Sequence, residues 1–147
     1  MLDRLQSTVA MLARVLLCLI FLNSAYGKIT NWGGTAAYME ARGMPAPQMG
    51  LPVAVVAEIL GALALLVGFR ARLGAVVLIA FLIPATLYFH NFWTFPEDQV
   101  RGQMIHFMKN ITIIGGLLMV LAYGGGSLGV DGWLRRRQKR STSGKQS

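Results

Sequence analysis

The chain has 147 residues, 54% of them hydrophobic and only 14% charged, with a formal net charge of +8. A soluble domain carries about 25% charged residues, so this composition excludes an ordinary water-soluble globule and makes lipid the solvent of most side chains. The charge does not point to nucleic acid, because six of the fourteen Lys and Arg lie in the last thirteen residues, and a basic run beside a hydrophobic helix marks a cytoplasmic juxtamembrane segment.

A bilayer core of roughly 30 Å takes about 20 helical residues to cross, and four stretches qualify. The first covers about 9–27, interrupted by Arg14; the second 51–69, with Glu58 inside; the third 73–93, with Pro84 and His90. The fourth covers 104–123 and opens with His106, Lys109 and Asn110. All four are predicted as helices, since backbone groups left unpaired in hydrocarbon are too costly and strand-like alternation is absent. The fold class is therefore an all-α membrane protein, a four-transmembrane-helix bundle occupying residues 1–131. Residues 132–147 are expected to form a basic, disordered cytoplasmic tail.

The connections support this. Lys28 to Gly50 is a loop broken by Gly33, Gly34, Gly43, Pro45 and Pro47. Arg70-Ala71-Arg72 is a tight turn, which makes the second and third helices antiparallel neighbours. With both termini cytoplasmic, Arg4, Arg70, Arg72 and the basic tail fall on the inner side. Glu40, Glu97 and Asp98 fall on the outer side, as the Lys/Arg bias requires. A competing reading takes Val15–Leu22 and Asn23-Ser24-Ala25 as a signal peptide; cleavage there would leave three spans and an outside N-terminus.

Ionisable groups inside a span cost around 2.5–3.5 kcal/mol each at mid-helix, so their placement is informative. Glu58 lies seven residues past Leu51, roughly 10 Å below the outer edge. Lys28, His90, His106, Lys109 and Asn110 fall in the same outer half. His106, Lys109 and Asn110 share one face at i, i+3, i+4, and so do Arg14, Cys18, Phe21, Ala25 and Lys28. Ala54, Ala57, Gly61, Ala64 and Gly68 form a small-residue stripe that lets a neighbouring backbone approach. Glu58 borders that stripe and is expected to face the bundle, paired first with Lys109 and second with Lys28. Arg14 belongs to the cytoplasmic half and is expected to snorkel to the inner headgroups.

The bland reading of Glu58 and Lys109 is a polar pair that fixes helix register; the functional one is ligand contact or proton handling. Two histidines without a matched carboxylate set are weak metal ligands, and no metal is expected; contact with a quinone-like head group is the cofactor reading. Cys18 is read as inert packing, and as the lone cysteine it allows no internal dithiol. Gly124-Gly125-Gly126-Ser127-Leu128-Gly129 fits GxGxxG but follows a membrane helix, and Asn110-Ile111-Thr112 fits a glycosylation sequon but lies inside one; both are discounted.

These elements together resemble the DoxX family of bacterial and archaeal membrane proteins. The resemblance covers about Arg14 to Asp131. It rests on Ala25-Tyr26-Gly27-Lys28, Ala57-Glu58-Ile59-Leu60-Gly61, Leu66-Val67-Gly68-Phe69-Arg70-Ala71-Arg72, Phe89-His90-Asn91-Phe92-Trp93, Lys109-Asn110 and the run Gly124 to Asp131. It implies a multi-pass protein of the plasma (bacterial inner) membrane and, through the family's link to quinone and thiol-stress redox systems, a non-catalytic or accessory subunit of a quinone-linked oxidoreductase. By position, Arg14, Lys28, Glu58, His90, Lys109 and Asn110 match the family's recurrent polar residues. Beside the lipid bilayer, redox-protein partners and a homo-oligomer are the partners considered. The alternatives are a small-solute transporter or channel-like module and a non-catalytic scaffold for redox partners.

Overall fold

The computed structural model describes residues 2–143. Six helices follow in order: α1 (Leu2–Thr30), α2 (Trp32–Ala41), α3 (Pro47–Val67), α4 (Ala71–Phe89), α5 (Glu97–Tyr123) and α6 (Val130–Ser143), with a 3-10 turn at Phe92–Thr94. No strand occurs among the described residues. α1, α3, α4 (continued through the 3-10 turn) and α5 are long and apolar enough to cross a membrane, with mean hydropathies of 1.7–2.3. Only 17–33% of each spanning stretch is buried; Leu5, Leu12, Leu16 and Leu19 of α1 and Val53, Val56 and Leu60 of α3 point outward. Such an apolar exterior suits lipid rather than water.

The four spans pack antiparallel in the spatial order α1, α3, α4, α5. The start of α1, the start of α6 and the 68–72 turn lie at one end, here called basal; α2 and the 3-10 turn lie at the other, apical end. The main core joins Cys18 and Phe21 of α1, Ala62 and Leu65 of α3, Ala75, Leu78 and Leu82 of α4, and Leu117 and Val120 of α5. α3 and α4 meet almost backbone to backbone: a Cβ at Gly61 would stand 2.6 Å from Leu78 Cγ, and one at Gly74 would stand 3.0 Å from Gly61 O. That is the close approach a small-residue stripe permits. α1 touches α5 through Leu17 against Gly116.

The span boundaries are wider than the hydropathy alone suggests. α1 and α5 extend beyond 9–27 and 104–123 because their ends are polar helix outside the hydrocarbon slab. Two segments differ from expectation. The loop 28–50 contains α2, which buries Ala36 and Met39 against Leu51 and Val55. Residues 132–143, expected as a disordered tail, belong to α6. The reason is a cap and a clamp at its start: Asp131 N–H donates to Gly68 O at 2.9 Å, and its carboxylate accepts from Arg70 N and Ala71 N at 3.0 and 3.3 Å. One carboxylate thereby serves the open N-terminus of α4, where negative charge is favoured, and fixes where α6 begins. Residues 144–147 lie outside the described residues.

Arg14 corrects the snorkelling expectation. It is 2% exposed and donates from Nη1 to Leu65 O at 3.1 Å and from Nη2 to Leu128 O at 2.5 Å. Gly68, Gly125 and Gly129 surround the guanidinium: a Cβ at Gly68 would overlap Nη1, and one at Gly129 or Gly125 would stand 3.0 or 3.2 Å from it. The guanidinium ties α1, the end of α3 and the glycine-rich 124–129 segment together. Helix-end carbonyls carry partial negative charge, so they solvate the cation where it sits and it need not reach for headgroups.

Candidate functional site

The apical half holds a cavity of about 830 Å³ whose walls come from α1 to α5. Most of the wall is apolar, including Phe21, Val53, Phe81 and Ile113. Five of the residues singled out from the sequence line it: Lys28, Glu58, His90, Lys109 and Asn110. His106 stands beside it, its ring stacked on that of His90 with centroids 5.1 Å apart. Arg14 lies at the opposite end, about 21 Å from Lys28 along α1.

Glu58 is 1% exposed and pairs with Lys28, Nζ lying 2.9 and 3.0 Å from the two carboxylate oxygens. This corrects the order of partners: Lys28, not Lys109, neutralises the buried acid. The cause is the α1 face. Arg14, Cys18, Phe21 and Ala25 on that face are all buried, and Lys28, one turn further, is carried over Glu58. Ser24, four residues before Lys28, accepts its third hydrogen at 2.6 Å, and the ammonium lies 5.6 Å from the Phe81 ring centroid. Lys109 instead sits at the exposed rim, its Nζ 3.4 Å from His106 Nδ1.

The second polar group joins α4 to α5. Asn110, 6% exposed, donates from Nδ2 to Thr86 Oγ1 at 3.0 Å, and Thr86 donates to Leu82 O at 2.6 Å. His90 Nδ1 lies 2.9 Å from Gln103 Oε1. Across the apical rim, Arg42 donates to Asn91 Oδ1 at 2.5 Å and covers the Phe95 ring at 4.0 Å, fastening the end of α2 to the loop after α4. Cys18 is 1% exposed, and its thiol donates to Ala62 O at 3.1 Å. Among the described residues, no group of three or more His, Cys, Asp or Glu could hold a metal ion.

Sequence reasoning missed Ser24, Thr86, Gln103 and Arg42. Three of them carried a signal. Ser24 lies at i−4 from Lys28, Thr86 at i−4 from His90, and Gln103 at i−3 from His106, so each shares a helix face with a residue already singled out. Arg42 carried none, because its partner Asn91 belongs to a different loop.

Comparison with known proteins agrees with this architecture. The DoxX family model matches residues 9–91. The chain is 36% identical over 135 residues to inner membrane protein YqjF of Escherichia coli, covering 91% of this chain and 98% of that one. It is 32% identical over 121 residues to inner membrane protein YphA of the same organism, covering 82% and 86%. A Surfeit locus protein 4 homolog of Drosophila melanogaster is 29% identical over 82 residues, which is 52% of this chain and 30% of that one. No solved structure matches. Four spanning helices and a match over more than half the sequence place the chain in the DoxX family, as a multi-pass protein of the plasma (bacterial inner) membrane.

Proposed function

We propose that the chain is a membrane subunit of a redox system, and that its apical cavity binds a quinone-class lipid. The observation that carries this reading is the cavity itself: about 830 Å³ of largely apolar wall, with a buried Glu58–Lys28 pair and the His90, Asn110 and Lys109 side chains at its polar spots. Apolar enclosure with a few convergent polar groups is the usual form of a small-molecule site. Ionisable residues inside a membrane bundle mark ligand or proton pathways more often than structural glue. The ring-sized head would meet the polar groups while an isoprenoid tail lies along Phe81, Val53 and Ile113. With one cysteine and two histidines, the electron carrier belongs to a partner protein. The Lys/Arg bias sets the basal end toward the cytoplasm, so the cavity faces the outer leaflet.

The test compares quinone retained after purification, and rebound in nanodiscs, between wild type and Glu58→Gln. Loss of about tenfold or more in affinity for whichever redox form of the lipid the wild type binds more tightly, with the thermal melt of the variant still cooperative, is expected. Equal retention and affinity in a folded Glu58→Gln protein would contradict the reading. Solute flux through liposomes carrying the pure chain would favour the transporter alternative instead.

A further inference from the structure

The hydrogen-bond inventory of the cavity is lopsided. An ammonium has three donors, and all three of Lys28 are committed inside the protein, to Ser24 Oγ and to both oxygens of Glu58. A carboxylate offers about four lone-pair sites; Lys28 takes two, which leaves acceptor capacity at Glu58 and no donor. At Asn110 the direction is fixed by its neighbour. The Thr86 hydroxyl gives its hydrogen to Leu82 O, so its oxygen accepts one hydrogen of Asn110 Nδ2, and Asn110 keeps Oδ1 as an acceptor together with its second amide hydrogen. At His90, Gln103 Oε1 can only accept, so Nδ1 carries the hydrogen and Nε2 is a bare acceptor.

Glu58 and Asn110 are buried, His90 is half-buried, and all three line the cavity. All three keep an acceptor; Glu58 has no donor, His90 has spent its Nδ1 hydrogen inside the protein, and Asn110 keeps one amide hydrogen. The other lining groups that retain donors, Lys109, Asn23, Tyr38 and Tyr88, are exposed. We propose that the site selects the reduced, hydroxyl-bearing form of its ligand, a hydroquinone head, over the oxidised quinone. This rests on the quinone-class reading above and adds the redox state that binds. The two O–H groups of a hydroquinone can donate to a carboxylate, an imidazole nitrogen or an amide oxygen; a bond to the carboxylate is charge-assisted and among the strong ones. A quinone offers two carbonyl oxygens, which face Glu58 and His90 Nε2 lone pair to lone pair; of the three groups only Asn110 can donate to them, and the carboxylate and imidazole acceptors stay unmet. Sites built around a ligand hydroxyl reject analogues that lack it.

The experiment uses the full chain in nanodiscs under anaerobic conditions and measures equilibrium affinity for three probes: decyl-ubiquinone, its two-electron-reduced quinol, and the dimethyl ether of that quinol. The ether keeps the ring and tail and lacks both donors. The quinol is expected to bind about tenfold or more tighter than either other probe, the equivalent of one hydrogen bond to a charged acceptor. Glu58→Gln, which introduces a donor in place of the carboxylate, is expected to narrow the gap between quinol and quinone. Equal affinity for all three probes, or tighter binding of the quinone, overturns the selection while leaving a quinone-class cavity. Failure of all three to bind overturns both.

Discussion

A single methyl at Gly68 tests the basal clamp quantitatively. Gly68 ends α3 with φ 69° and ψ 33°, a left-handed conformation that costs an L-residue about 1–2 kcal/mol. The new Cβ would also overlap Arg14 Nη1 and stand 2.9 Å from Gly129 Cα. Neither neighbour can yield freely. Gly129 is backbone, and Arg14 is 2% exposed with both terminal nitrogens bonded to Leu65 O and Leu128 O. Displacing the guanidinium breaks at least one such bond, worth about 1.5–3 kcal/mol when the donor is charged. The two contributions together place Gly68→Ala about 3–5 kcal/mol below wild type.

Gly102→Ala is the control. That glycine lies inside α5 with nothing within 4 Å of a Cβ, so alanine there should stabilise by about 0.5–1 kcal/mol through helix propensity alone. Thermal unfolding in detergent micelles reads both: for a chain of this size each kcal/mol moves Tm by about 2–4 °C, so Gly68→Ala should fall by roughly 6–20 °C and Gly102→Ala should not fall. A Gly68→Ala protein melting within about 2 °C of wild type would refute the account of Arg14 as a caged, bonded cation.

Lys28→Met should cost about 3 kcal/mol, the lower end for splitting a buried pair because Lys28 keeps 21% exposure; adding Glu58→Gln should restore more than half of that loss. A double variant no more stable than the single one, by the same melts, would show that the two side chains are not coupled. For topology, Gln99→Cys should react with a membrane-impermeant maleimide on intact spheroplasts, and Ser141→Cys only after permeabilisation. Buried Cys18 contributes little background; the opposite labelling pattern would invert the orientation.

The spans were legible because hydropathy in lipid is a one-dimensional signal: about 20 apolar residues either cross or do not. The buried face of α1 was legible too, since Arg14, Cys18, Phe21, Ala25 and Lys28 keep helical spacing, and each proved buried or partly buried. Depth was read well enough to gather Lys28, Glu58, His90, Lys109 and Asn110 at one end. Pairing was not. Lys28 and Lys109 sit at similar depth, and which of them meets Glu58 depends on rotation of α1 and α5 about their axes, a quantity that spacing within one helix leaves free. The α6 start escaped for a related reason. Asp131 looks like a stray acid in a basic tail until the α3–α4 turn, sixty residues earlier, supplies the N–H groups it accepts.

The two polar sites do not act alike, although the same face of α1 feeds both. In water, hydrophobic burial drives helices together; in lipid the tails compete equally, so close packing and polar contacts decide how helices associate. α1 and α3 are locked at three levels: Arg14 to Leu65 O, Cys18 to Ala62 O, and Lys28 to Glu58. The lower two bond to backbone carbonyls, which is what a register device requires. The upper one ends instead on a side-chain carboxylate that keeps acceptor capacity and lines a cavity. A pure register contact gains nothing from an ionised acid, because a backbone carbonyl would hold Lys28 without the cost of burying a second charge. The presence of a carboxylate, Glu58, at that level, where α3 meets α1 lower down through its main chain, is the physical ground on which ligand chemistry is proposed for the apical end and fold maintenance for the basal one.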